Sequence, residues 1–219
     1  MENDPSRIED SLLELPLFKD VFLQMQLRNV SMVDLYLIQL EKDLFDEYVR
    51  LDRTPVPDAL FVNALSQMWL FGAYELLRTW RQRVKELTSY GDKIYSTHQS
   101  ERKLIIENQR KKIQKASSLL INETSSQEID FKKIEEHEDY LHELKDSFEK
   151  IEPIFRTIEK LRVTIAKHEI PKSKGLFAQG PGYARIERNT GSMLWMIVTK
   201  DRYSEMISRR MISDKLRNI

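Results

Sequence analysis

The sequence predicts a mainly α-helical fold, a bundle of long amphipathic helices carrying a small C-terminal β-hairpin. Three observations lead there. Only 6 glycines and 7 prolines occur in 219 residues, and 32% charged against 41% hydrophobic is the balance of a helix-rich globular chain. Apolar residues recur at three- and four-residue intervals over stretches much longer than a strand. Chain-breaking residues gather at DRTPVP (52–57) and at PKSKGLFAQGPGYARIERNTGS (171–192), leaving long uninterrupted segments between them.

Taken in order, SLLELPLFKDVF (11–22) predicts one or two short helices interrupted at Pro16, since proline has no N–H to donate in a helix interior. From Ser31, an expected N-cap, SMVDLYLIQLEKDLFDEYVRL places Leu37, Leu40, Leu44, Tyr48 and Leu51 on one face of a long helix. Two prolines in three residues then end it. Asp58 is the expected cap of a helix reaching about Tyr90, before Gly91. Leu65, Met68, Trp69, Leu70, Phe71, Ala73, Leu76, Leu77 and Trp80 surround Gly72, which predicts the central helix of the bundle. Large rings at helical spacing are core material before they are base-stacking platforms.

Residues 92–120 continue as helix, with RKLIIENQRKKIQK (102–115) as a solvated basic face, and NETSSQE (122–128) is the expected internal loop. The segment 128–169 reads as a long helix in which Pro153 marks a start or a kink. MLWMIVT (193–199) is apolar and β-branched enough for a strand, and YARIER and SMLWMIV pair as a hairpin around the NTG turn. A closing helix is expected over about Asp201 to Leu216. The division is then a helical bundle over 1–169 and a basic loop, hairpin and closing helix over 170–219, packed together as one domain.

The formal charge is zero but unevenly spread. Residues 1–90 hold 10 Lys and Arg against 15 Asp and Glu, residues 91–169 hold 15 against 16, and residues 170–219 hold 10 against 4. A local basic excess is what a polyanion feels within a Debye length of about 8 Å. Lys167, Lys172, Lys174, Arg185 and Arg188 are therefore the candidate contacts to an RNA backbone.

Several chemistries find no support. There is no cysteine, hence no thiol nucleophile and no disulfide. No apolar run approaches the roughly 20 residues of a membrane helix, and no secretory leader follows Met1, so the expected location is cytoplasmic with no membrane partner. GPG (180–182) is too short to cradle phosphate, and neither a Walker loop nor GxSxG occurs. In HEDYLHE (137–143) the histidines are i,i+5, about 140° apart on a helix, whereas a zinc helix needs i,i+4. Asp139 and His142 have the spacing of half a carboxylate-bridged site, without a second pair. No metal and no cofactor are expected.

LRVTIAKHEIPK (161–172) makes the one specific chemical suggestion. Ile154, Ile158, Leu161 and Ile165 form an apolar stripe, which Arg162 flanks by about 75° on one side and His168 by about 45° on the other. In a regular helix the two lie about 9 Å apart along the axis, so they converge only if its end unwinds or a second subunit supplies the opposing group. Histidine can move the proton of a 2′-hydroxyl or of a leaving oxygen, and arginine can hold a phosphate bidentately as charge builds. The ordinary helix-end reading instead pairs Arg162 with Glu159 or Glu169 and leaves His168 facing terminal carbonyls.

RVTIAKH is similar to the R-x4-6-H motif of HEPN (higher eukaryotes and prokaryotes nucleotide-binding) domains. The resemblance covers the motif and a general helical architecture. It implies a metal-independent endoribonuclease of a toxin–antitoxin or defence system, a homodimer whose two motifs face one another across a cleft, and Arg162 and His168 as the catalytic pair. Val163 stands where that motif usually has a polar residue. The alternative expectation is a non-catalytic helical protein whose apolar seam serves self-association or a protein partner.

Overall fold

The computed structural model describes residues 7–117, 124–166, 176–178, 185–199 and 204–219. Its order is α1 (Ile8–Leu13), α2 (Val21–Leu51), α3 (Val56–Ser96), α4 (Gln99–Ser117), α5 (Thr124–Glu136), α6 (Glu138–Ala166), β1 (Leu176–Ala178), β2 (Arg185–Ile186), β3 (Met193–Thr199), β4 (Ser204–Ser208) and α7 (Arg209–Arg217). The fold is mainly α.

Helix α2 begins ten residues before the expected Ser31. Asp20 caps it, its carboxylate accepting from Phe22 N at 3.1 Å and Leu23 N at 3.3 Å. Ser31 sits inside the helix, buried, and its hydroxyl accepts from Glu9 N. The buried line of α2 runs Leu23, Leu27, Val30, Asp34, Leu37, Glu41, Leu44, alternating steps of four and three. Leu40, Tyr48 and Leu51 lie beside it, half-buried, and two acids occupy core positions the apolar pattern had not marked.

Asp52, in the left-handed region at φ 50, ends α2, and Pro55 rather than Asp58 stands at the start of α3. The two helices are antiparallel: Trp80 Nε1 donates to Pro16 O at 2.8 Å, Arg83 pairs with Asp20 at 3.1 Å, and farther along Trp69 Nε1 donates to Val30 O at 3.1 Å. As expected, α3 is central, with Trp69, Leu70, Leu77 and Trp80 almost wholly enclosed. Met68, however, points outward at 67% exposure, so the apolar girdle around Gly72 is not all core. Gly91 does not end α3. A Cβ there would lie 2.7 Å from Leu141 Cδ1 and 3.2 Å from Ile134 Cγ2, so the glycine lets α3 approach α5 and α6.

Lysines 103, 111, 112 and 115 of α4 are exposed, the expected solvated face. The expected loop at 122–128 is partly helix, since α5 starts at Thr124; residues 122 and 123 lie outside the described residues. His137 separates α5 from α6, and Pro153 lies inside α6 rather than at its start. The Thr157 hydroxyl donates to Pro153 O at 3.0 Å, where the helix continues past the proline.

The hairpin forms as expected, Arg185 opposite Leu194 and Ile186 opposite Met193, but it belongs to a four-stranded antiparallel sheet. β3 is central: β4 lies on one side, while β1 and β2 share the other. Residues 204–208 are thus a strand, and the closing helix spans 209–217 instead of starting near Asp201; Ser208 caps it by accepting from Met211 N. Gly191 has φ +74, and a Cβ there would overlap the carbonyl oxygen of Glu41, so only glycine lets the β2–β3 turn rest against α2.

Candidate functional site

The α3–α6 seam carries Arg162. Along α6, Leu144, Ile151, Ile154, Phe155, Ile158 and Leu161 are buried at helical spacing, with Ile165 partly buried, and this stripe packs α6 onto α3. Arg162 follows it and is half-buried. Its guanidinium carbon lies 4.6 Å over the ring of Tyr74, itself stacked on Phe155 at 5.4 Å. Toward the start of α6 the motif repeats: Arg81 lies 4.2 Å over Phe155 and 5.3 Å from the Phe148 ring, and grips Glu152 through two hydrogen bonds of 2.5 and 2.7 Å.

Glu152 also accepts from Arg156 at 2.7 Å, and Arg156 reaches Glu159 at 3.4 Å. Burial alone would raise the Glu152 carboxyl, but these two arginines hold it below the usual value. Glu159 is therefore spent on Arg156, and no carboxylate of the described residues pairs with Arg162. A guanidinium stacked by its face keeps its edge N–H groups for an acceptor, the geometry that fits two oxygens of one phosphate.

His168, Lys167, Lys172 and Lys174 lie outside the described residues, and so does Glu169. Arg185 and Arg188 are both exposed, on β2 and in the turn after it. α6 packs against β1 and β3, which makes the sheet a neighbour of the helix that carries Arg162.

A second cluster went unread in the sequence. Asp34 and Glu41, 1% and 0% exposed, face Arg209, also 0% exposed. Arg209 holds Glu41 bidentately at 2.5 and 2.8 Å and reaches Asp34 through its remaining terminal nitrogen, over the ring of Trp69. Arg217 and Ser213 also donate to Asp34, while Ser192 and Arg210 donate to Glu41 at 2.8 Å. Burial pushes the Glu41 carboxyl up, yet the bonds and charge of Arg209 and Arg210 outweigh it and leave it below the ordinary value. The signal was available: acids at 34 and 41 share a stripe with Leu37 and Leu44, and such acids demand basic partners. Part of the C-terminal basic excess is thereby turned inward, which leaves fewer of its cations for an external polyanion.

A cleft of about 380 Å3 lies between the 14–20 turn and the α5–α6 junction, lined by Leu17, Asp20, Asp130, Lys133, Tyr140 and Glu143. Leu17 is held at φ 71, a costly conformation for leucine, between Pro16, whose carbonyl receives Trp80, and Phe18, which stacks on the same ring at 5.6 Å. Burial pushes Asp130 up, against Arg83, and burial with the charge of Asp130 raises the Tyr140 phenol. Arg83 already spans Asp20 at 3.1 Å and Asp130 at 3.2 Å. Arg83 stands behind the lining, and the cations that do line the cleft, Lys19 and Lys133, share it with four carboxylates, those of Glu14, Asp20, Asp130 and Glu143, which makes it a poorer place for a phosphate than the face of Arg162. Among the described residues no three side chains converge as metal ligands, and no helix is long and apolar enough to cross a membrane. Compared with family models, curated proteins and solved structures, the chain matches none.

Proposed function

We propose that the chain is a HEPN-like RNA-binding protein that cleaves RNA without a metal, working in the cytoplasm as a homodimer, with Arg162 holding the phosphate and His168 moving the proton. The observation that supports this reading is the Arg162 guanidinium. It is half-buried on the Tyr74 face and no carboxylate of the described residues neutralises it. In the step proposed, His168 takes the 2′-hydroxyl proton, the freed oxygen attacks phosphorus, and the bond to the 5′ oxygen breaks as that oxygen takes a proton from water, His168 afterwards returning its own to solvent. Arg162 stabilises the charge that accumulates on the non-bridging oxygens. Lys167, Lys172, Lys174, Arg185 and Arg188 supply backbone contacts, which makes binding weaken with salt.

Purified protein incubated with total RNA in a chelator is expected to cleave it. His168→Ala should abolish the cleavage, with Arg162→Ala lowering it about 100-fold or more, the scale of one lost charge-stabilising donor. Undiminished nuclease activity in His168→Ala would overturn the catalytic assignment. A second reading, a helical interaction protein without catalysis, draws on a different observation, the large apolar side chains left exposed on α2 and α3. It expects no turnover in either protein.

A further inference from the structure

The side of the α2–α3 hairpin turned away from the core is unlike the rest of the molecule. Met25, Met32, Tyr36, Leu60, Phe61 and Met68 are each between 47% and 67% exposed there, with Phe22 and Val33 at 46% and 40%. The helices are antiparallel, and a Cβ on Gly72 would lie 3.7 Å from Val30, which sets Val33 and Tyr36 across from the turns of α3 that bear Met68 and Phe61. These residues therefore make one surface on neighbouring helices. Its second property is a middle depleted of charge, with Arg83 and Glu86 bordering it at Phe22 and the exposed Glu75–Arg78 pair next along α3. Residues 59–74 contain no Asp, Glu, Lys, Arg or His in a chain that is 32% charged. Between Val21 and Glu41 the charged residues are Arg28, Asp34 and Glu41 itself; both acids are buried, and Arg28 is tied to Glu9 at 3.0 Å.

We infer that this face docks a second copy of the chain, hairpin against hairpin, in an isologous contact. Three arguments select that occupant. The first is area: at about 100 Å2 for each half-exposed large side chain, the eight present on the order of 800 Å2, one partner's share of a standard interface and more than a monomer ordinarily leaves open. The second is composition, because methionine and aromatic enrichment with charge depletion is the signature of an interface centre. The third is electrostatic. A charged partner would find no counter-charge at the middle of this face, and the cations at its edge, Arg78 and Arg83, are already paired with Glu75 and with Asp20 and Asp130, whereas a face uncharged at its centre meets its own copy without repulsion. The contact shares its two-copy state with the functional reading but does not rest on it, since the face is not the α3–α6 seam that carries Arg162.

Sedimentation equilibrium of the full chain is expected to show a dimer. Tyr36→Glu with Met68→Glu should weaken it by about 100-fold or more, since each subunit would bury unpaired carboxylates, while the far-ultraviolet circular dichroism spectrum stays that of the folded chain. Because the chain has no cysteine, Tyr36→Cys gives a clean second measurement, a dimer crosslinked by a bismaleimide long enough to span the face. A wild-type chain that stays monomeric at roughly 100 μM overturns the inference, as does a dimer indifferent to both glutamates. A monomer that instead floats with phosphatidylcholine vesicles overturns it in favour of a lipid surface. A monomeric chain that still cleaves RNA would sink this inference alone, and a dimer inert toward RNA only the functional reading.

Discussion

Asp34 is held by Arg209, Arg217 and Ser213, all nine-tenths or more buried, so removing its charge leaves two guanidinium groups short of a partner in an enclosed site. Asp34→Asn is expected to cost about 3–5 kcal/mol by urea denaturation, the scale of a broken buried ion pair. Glu41 carries the pH dependence of the same cluster. Its folded-state pKa lies below the usual 4.5, so the unfolded chain binds more protons, stability rises with pH through that window, and it is lost as pH falls through the folded value. Thermal melts between pH 6 and pH 3 should show this loss and a shallower one in Glu41→Gln; parallel curves would remove Glu41 as its source. Gly191→Ala meets both a φ of +74 and the Glu41 carbonyl, and the backbone strain alone should cost about 1–3 kcal/mol.

At the scale of elements, periodicity located α2, α3 and α6 but not their ends. The ten residues added to the front of α2 follow a turn whose carbonyl at Pro16 is taken by Trp80, a residue sixty-four positions away. Gly91 shows the same limit, since a helix-weakening residue is kept inside α3 where Leu141 and Ile134 come close. Gly91→Ala sets a gain of about 1 kcal/mol in helix propensity against about 1–3 kcal/mol of overpacking. Net destabilisation of up to about 2 kcal/mol is expected in a denaturant titration, and a stabilised variant would mean that Leu141 moves freely. Residues 204–208 carry no strong local preference and become β4 because Ile207 finds Trp195 opposite it on β3.

In the whole molecule, the first and last described helices meet. α7 lies against α1, with the Ser11 hydroxyl donating to Arg217 O at 2.5 Å, and its arginines close the acid positions of α2. Ending the chain at Ser208 would remove Arg209, Arg210 and Arg217 together and leave Asp34 and Glu41 buried without them. That truncation should lose α2 cooperatively, seen as a fall in helix signal and rapid proteolysis within residues 21–51; a native-like melt would show that the acids rehydrate cheaply. The sequence by itself determined the helical class, the centrality of α3 and the pairing of β2 with β3, because spacing and turn chemistry are local. It also placed Arg162 beside a buried stripe. Only the tertiary structure decided that the acidic N-terminal zone and the basic C-terminal zone neutralise one another inside, that Arg162 lies on Tyr74 while Glu159 goes to Arg156, and that Met68 turns outward. The reason is physical: each depends on which distant group occupies the space beside a side chain, and periodicity says only that a face is covered, never by what.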